Sequence, residues 1–266
     1  MIEQERLIAR VRELAAADER LVAALMYGSF SQGDGDRHSD VEFYLYFRDE
    51  LLADVDRRAW LEQVAPTLLC YQNEYGVTTA IFAAFVRGEF HFEPASAIAQ
   101  VRAWQSTWFA SLESAVLWDR GGELGRAARP LVRQRPALDE RETARFLAAS
   151  LLNWTLMGAS ILGRGDDPRA HGFLGFIQSY VLQAARLLAD KTQSWDEPRR
   201  QLAGDLPAAF ERFRRCTARL DHAELRLAYG ATWSWTRELL AALDERFGVD
   251  PPSALLGHLD ELLRSQ

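Results

Sequence analysis

The sequence predicts an α+β chain, with a sheet and its helices in the first half and a helical bundle in the second. Three observations carry that reading. Residues 22–46, VAALMYGSFSQGDGDRHSDVEFYLY, read as an apolar strand, a turn opened by Gly28-Ser29, a polar loop and a second strand. Residues 68–92 alternate or run apolar in short stretches separated by turn signals. From Asp139 onward, apolar residues recur at helical spacing in long segments with short connections, as in an antiparallel bundle. With 266 residues and 48% hydrophobic content, the chain can bury one large core or two moderate ones. The pattern changes at Arg135-Pro136, which places a boundary between about 128 and 140 and divides the chain into 1–133 and 134–266.

Taken in order, Ile2, Leu7, Ile8, Val11 and Leu14 fall on one face of a first helix ending near Ala17. Strand 21–28 follows, then the loop 31–39 with the glycines and aspartates of an irregular turn, then strand 41–47. A helix over 50–65 is stopped by Pro66, and strands are expected at 68–71, 77–82 and 85–92. Residues 114–119 suggest an edge strand, and a helix spans 123–133. The bundle helices are expected at 140–162, 169–191, from Trp195-Asp196-Glu197-Pro198 onward, 207–217 and 223–247, with a short helix after Pro251-Pro252.

Composition narrows the function. A net charge of −7 and a pI near 5.4 argue against a nucleic-acid backbone as partner, which favours a basic face. Cys70 and Cys216 are too few and too far apart for a disulfide framework or a zinc site, and read as buried thiols of a reducing cytoplasm. The N-terminus is amphipathic and charged from its third residue, unlike a signal peptide. No wholly apolar run approaches the roughly 20 residues of a membrane span, so neither membrane nor nucleic acid is expected as a partner.

The chemistry concentrates at Asp40 and Glu42. Residues i and i+2 of a strand share a side, so both carboxylates point one way at the exit of the loop. Alternating acids usually mark a solvated face, but paired carboxylates at such a place also suit Mg²⁺, which takes oxygen ligands together with substrate phosphates. Gly28 lets backbone approach a phosphate, and Ser29 offers a hydroxyl and an N–H. His38 beside them reads as a solvent-facing loop residue, since Mg²⁺ prefers oxygen. In the strand 85–92, Arg87, Glu89 and His91 face one way and Phe90 and Phe92 the other. Taken by itself that face reads first as a cross-strand ion-pair ladder, and Glu74 in Asn-Glu-Tyr-Gly stands nearby as a further acid in a turn.

Gly-Ser, ten residues, then Asp-Val-Glu between apolar strands resembles the signature of the DNA polymerase β-type nucleotidyltransferases. The segments MYGSF (26–30), SDVEFY (39–44), NEYG (73–76), RGEFHF (87–92) and TARLD (217–221) resemble the 3-O-adenylating lincosamide nucleotidyltransferases, from the first helix to about residue 230. The resemblance implies a polymerase β-like domain with a mixed sheet, followed by an acceptor-binding helical bundle. It implies two Mg²⁺ ions held by Asp40 and Glu42, Glu89 as general base and further metal contact, and ATP or another nucleoside triphosphate as co-substrate. Gly28, Ser29, Arg186 and Lys191 would bind the nucleotide, the last two from the second bundle helix. The acceptor would be the 3-hydroxyl of lincomycin or clindamycin, and the protein a cytoplasmic homodimer.

Trp233 and Trp235 diverge by about 200° on a helix, so one of them is expected at a pocket wall or an interface. Together with His91 they are the candidates for acceptor contact. Two alternatives stay open: an aminoglycoside nucleotidyltransferase, which calls for an acidic pocket in the helical half, and a toxin–antitoxin nucleotidyltransferase. Against the latter, residues 139–247 contain no Arg-x-x-x-x-His pair.

Overall fold

The computed structural model describes residues 1–104, 107–134 and 138–265. The chain divides into two compact units, Met1–Pro136 and Ala137–Gln266. Arg135 and Pro136, where the sequence pattern changes, lie outside the described residues.

The first unit opens with α1 (Glu3–Ala17), which buries Leu7, Val11 and Leu14. β1 (Leu21–Tyr27), a single turn α2 (Ser29–Gln32) and β2 (Val41–Phe47) follow. The segment expected as one helix over 50–65 is instead a 3₁₀ turn, Asp49–Asp54, and a short α3, Arg57–Glu62. The break has a local cause: Asp56 caps α3 by accepting from the Ala59 N–H at 3.0 Å, so its own backbone stays extended. β3 (Thr67–Gln72), β4 (Thr78–Phe82) and β5 (Arg87–Pro94) come next, followed by a 3₁₀ segment, Ala95–Ala103, that the sequence did not announce. α4 (Leu112–Ala115), the edge strand β6 (Val116–Asp119) and α5 (Glu123–Ala128) complete the unit; α5 gives way to a 3₁₀ turn at Arg129–Leu131.

The six strands form one mixed sheet in the order β3-β4-β5-β2-β1-β6, in which only β2 and β5 run parallel. One face packs against α1 and α3 through Phe43, Leu45, Trp60, Phe90 and Phe92. Each such fully buried side chain contributes about 1.5–3 kcal/mol. On the other face Leu25 and Tyr46 pack with Ile98 of the 3₁₀ segment and with Leu124 and Ala128 of α5, while Tyr27, Glu42 and Glu89 on it stay half-buried.

The second unit is helical: α6 (Glu140–Leu162), α7 (Asp167–Leu188), α8 (Leu202–Asp205), α9 (Pro207–Arg215), α10 (His222–Phe247) and α11 (Ser253–Ser265). The three long helices pack on one another. Gly158 permits the close crossing, since a Cβ there would lie 2.8 Å from Ile177 and 2.9 Å from Tyr229. α6 is long and apolar enough by composition to cross a membrane, but 56% of that stretch is buried inside the unit, as in a core helix. Two expectations fail here. α7 ends at Leu188, and no helix starts at Trp195-Asp196-Glu197-Pro198, which lies in turns.

The ARLD block acquires a physical role as the start of α10. Asp221 accepts from the Glu224 N–H at 3.0 Å, and Glu224 in turn accepts from the Arg219 backbone N–H at 3.0 Å. The Arg219 guanidinium also bonds Glu224, and together these hold its carboxyl down to about 2.

Candidate active site

The site begins where β1 turns into α2. Gly28 has φ 73° and ψ −158°, a backbone region that essentially only glycine occupies. A Cβ built there would fall 1.4 Å from Glu42 Oε2, so glycine lets that carboxylate lie directly against the main chain. Ser29 follows, half-buried, as the first residue of α2.

Strand register then assembles the polar groups. Tyr27 pairs with Glu42 across β1–β2, Glu42 with Glu89 across β2–β5, and Glu89 with Thr79 across β5–β4. Cross-strand neighbours share a face, so tyrosine, two glutamates and threonine form one row. The next row places Leu25, Tyr44 and His91 side by side. Asp40 stands just before β2, where Arg87 Nη1 donates to its Oδ2 at 2.6 Å. The Arg87 Nη2 bonds Glu89 Oε1, so one guanidinium bridges two of the three carboxylates. Burial works against the charge of Arg87, but the bonds and attraction of Glu89 and Asp40 outweigh it and raise its pKa.

Tyr27 ties Glu89 to His91. Its hydroxyl lies 3.4 Å from Glu89 Oε2 and 3.1 Å from His91 Nε2. One phenolic proton cannot serve both, so the arrangement satisfying all three groups runs from His91 N–H to the Tyr27 oxygen and from Tyr27 O–H to Glu89. Burial first, then the charges of Glu42 and Glu89, push the Tyr27 pKa far up and keep it a donor. His91 is stacked on Tyr44 with centroids 3.9 Å apart and planes 6° from parallel. The sequence reading passed over Tyr27, although its place immediately before Gly-Ser marks it as the last strand residue on the site side.

Burial lowers the His91 pKa below 6.5, with the charge of Glu89 acting the other way. A folded pKa below the unfolded one means that the unfolded chain binds more protons between the two values. The associated stability is therefore complete above pH 6.5 and is lost as pH falls through the folded pKa. Melting temperatures from pH 7.5 to 5 are expected to fall more steeply for the wild type than for His91→Gln. Parallel curves would show that His91 contributes nothing to acid sensitivity.

All three acidic donors are carboxylates, the ligand type Mg²⁺ takes, and they stand at the ends of two adjacent strands with Gly28 clearing space for one. By donor type and position they fit a hard divalent cation. Among the described residues no three acidic or imidazole groups are already drawn together as a metal cluster, and Arg87 stands between Asp40 and Glu89. Beside them opens a cavity of about 710 Å³ lined by Gln4, Arg37, His38, Asp40, Phe85 and Arg87.

Four other expected site residues stand in the helical unit. Arg186 is 0% exposed and spends its guanidinium on the carbonyls of Pro198 at 2.9 Å and Arg200 at 2.5 Å and on Asp205 at 3.1 Å. It anchors the 191–205 segment to α7 and does not present its charge to a nucleotide. Lys191 is exposed but lies beyond the end of α7, so the two cations do not stand on one helix as expected. Trp233 and Trp235 are both buried, at 5% and 3% exposure. The expected divergence holds, but α10 is covered on two sides: Trp233 Nε1 donates to Asp260 of α11 at 2.7 Å, and Arg212 of α9 lies over Trp235. Glu74 is exposed in the β3–β4 turn, where Asn73 Oδ1 accepts from the Tyr75 and Val77 N–H groups.

The aromatic surface of the helical unit is instead on α6 and α7. Phe146, Tyr180, Phe176, Trp154 and Phe173 form a chain of ring contacts with centroids 5.2–6.2 Å apart. Phe146 is 58% and Phe176 42% exposed.

The comparisons bear on each unit differently. No curated protein matches the chain. An aminoglycoside 6-adenyltransferase from Bacillus subtilis aligns at 12% identity over 99% of this chain and 98% of its own, with a TM-score of 0.40. A nucleotidyltransferase-like protein from Exiguobacterium sibiricum 255-15 aligns at 14% identity over 98% and 88%, with a TM-score of 0.41. Scores of this size carry no weight for function. The family described as "Lincosamide nucleotidyltransferase-like, C-terminal domain" matches residues 140–262, just under half of the chain. That match supports the nucleotidyltransferase superfamily at large and does not distinguish the 3-O-adenylating branch. The helical unit is thus similar, from α6 into α11, to the C-terminal domain of lincosamide nucleotidyltransferase-like proteins.

Proposed function

We propose that the chain transfers a nucleoside monophosphate, AMP from ATP, to the 3-hydroxyl of a lincosamide and releases pyrophosphate. The observation that carries this reading is the carboxylate group at the Gly28-Ser29 turn: Glu42 against the glycine, Glu89 beside it in register, and Asp40 at the strand entrance. Asp40 and Glu42, with Glu89 as a further contact, would hold the divalent cations. When bound, these supply Lewis-acid charge at the transferring phosphoryl group. The chain's own residues do the rest. Ser29 and the backbone at the Gly28 turn face the phosphates. Glu89 takes the proton of the acceptor hydroxyl as its oxygen bonds the α-phosphorus and the bond to the β-phosphate oxygen breaks. Tyr27 holds Glu89 in place by its hydrogen bond. The protein works in the cytoplasm as a homodimer in this reading, and the modified antibiotic no longer binds the ribosome.

The exposed strip of α6 and α7 favours a lincosamide over an aminoglycoside. A polycation calls for an acidic surface, whereas an alkyl-proline group suits aromatic rings. Mass spectrometry on lincomycin, and on kanamycin in parallel, with Mg²⁺ and each nucleoside triphosphate tests the assignment. A nucleotidyl adduct on lincomycin alone is expected; an adduct on kanamycin alone would replace this reading with the aminoglycoside one. Phe176→Ala is expected to raise the KM for lincomycin roughly fivefold or more while leaving that for ATP unchanged. A change in sedimentation mass with both KM values intact would make the strip an interface instead.

A further inference from the structure

Arg87 is in direct contact with two of the carboxylates, Asp40 and Glu89. It opens β5 two residues before Glu89 and therefore leaves the strand on the same side. Its side chain is 45% exposed, against 19% for Glu89, so it reaches inward from a solvent-facing root. Three carboxylates at neighbouring positions repel one another, and a guanidinium bridging two of them supplies the positive charge that a divalent cation would bring. The two charges exclude each other: Asp40 Oδ2 and Glu89 Oε1 are the oxygens Arg87 occupies, and a cation bound there would face a guanidinium within a few ångströms.

We propose that Arg87 is a displaceable counter-ion, a positioning residue that holds Asp40 and Glu89 while the site is metal-free and is expelled when the metal enters. Its path out is present, because Arg87 lines the 710 Å³ cavity with Arg37 and His38. Swung into that cavity, the guanidinium joins that of Arg37, and the pair suits the β- and γ-phosphates of a nucleoside triphosphate, although Glu3 also lines the cavity and His38 accepts from Arg37 Nε. Metal entry and triphosphate binding are thereby coupled, each favouring the conformation the other needs. The inference rests on the nucleotidyl-transfer reading above.

The test uses Mn²⁺ and a non-hydrolysable ATP analogue with the full chain, following bound metal by titration calorimetry and stability by thermal melting. Without nucleotide, Arg87→Gln is expected to bind Mn²⁺ about three- to tenfold more tightly than the wild type, because no resident charge must leave. It is also expected to melt lower than the wild type without metal and to recover more on adding Mn²⁺. With Mn²⁺ present, it is expected to bind the analogue about tenfold more weakly. A merely structural ion pair would lower melting and leave Mn²⁺ affinity unchanged; that result overturns the proposal while leaving the metal site intact. If the wild type itself binds no Mn²⁺, with or without the analogue, both this inference and the reading beneath it fall. Should Arg87→Gln not fold, Arg87→Lys answers the same question: it keeps the charge but cannot bridge two carboxylates, so tighter Mn²⁺ binding supports displacement and unchanged binding overturns it.

Discussion

Glu89→Gln is expected to lower kcat by about 10²–10⁴ with little change in either KM. The substitution keeps size and hydrogen-bonding capacity and removes the proton acceptor. Glu89 is well placed for the role: Tyr27 reaches one carboxylate oxygen and Arg87 the other, which fixes its orientation, and it stands level with Glu42 on the neighbouring strand. The variant gives up a bond to a half-exposed arginine, worth about 0–1 kcal/mol, so it is expected to melt close to the wild type. Activity that survives together with a lowered melting temperature would make Glu89 structural and move the search to Glu74. Asp40 is likewise not an isolated anion, because Arg87 pairs with it. Asp40→Asn is therefore expected to cost a comparable small amount of stability rather than none.

Gly28→Ala is expected to harm both stability and rate. The backbone there sits in a region where side chains other than glycine's hydrogen cost about 1–3 kcal/mol, a loss of several degrees in melting temperature for a protein of this size. The new methyl would also fall on Glu42 Oε2, 1.4 Å away in the present geometry, so the carboxylate must move by an ångström or more. Misplacing a group by that distance can cost about 10²-fold in rate, and at least that loss is expected in kcat/KM. Thermal melting and steady-state kinetics on the same preparation check the two parts together. A variant with wild-type melting and turnover would show that the turn relaxes and that Glu42 tolerates displacement.

The contrast with Arg186 shows why the facing of side chains is legible from sequence in one half of the chain and less so in the other. In the sheet, the face on which a residue stands follows from its parity along the strand, so Arg87, Glu89 and His91 were correctly separated from Phe90 and Phe92. On a helix, periodicity tells which residues share a face but not how many faces neighbours will cover. α10 is covered on two sides, so Trp233 and Trp235 are both buried despite their divergence, and the segment after α7 folds back over Arg186.

The sequence by itself determined the α+β order of elements, the turn at Gly28-Ser29, the outward parity of the carboxylates and the long bundle helices. All of these depend on local backbone preference or on the period of apolar residues within one element. Only the tertiary structure decided that Glu42 stands level with Glu89, that Tyr27 bridges Glu89 and His91, and that Arg87 holds two carboxylates at once. Those facts depend on the register of β1, β2 and β5, strands that pair across long stretches of chain. Register is set by packing of the whole sheet against α1, α3 and α5, which no single segment encodes.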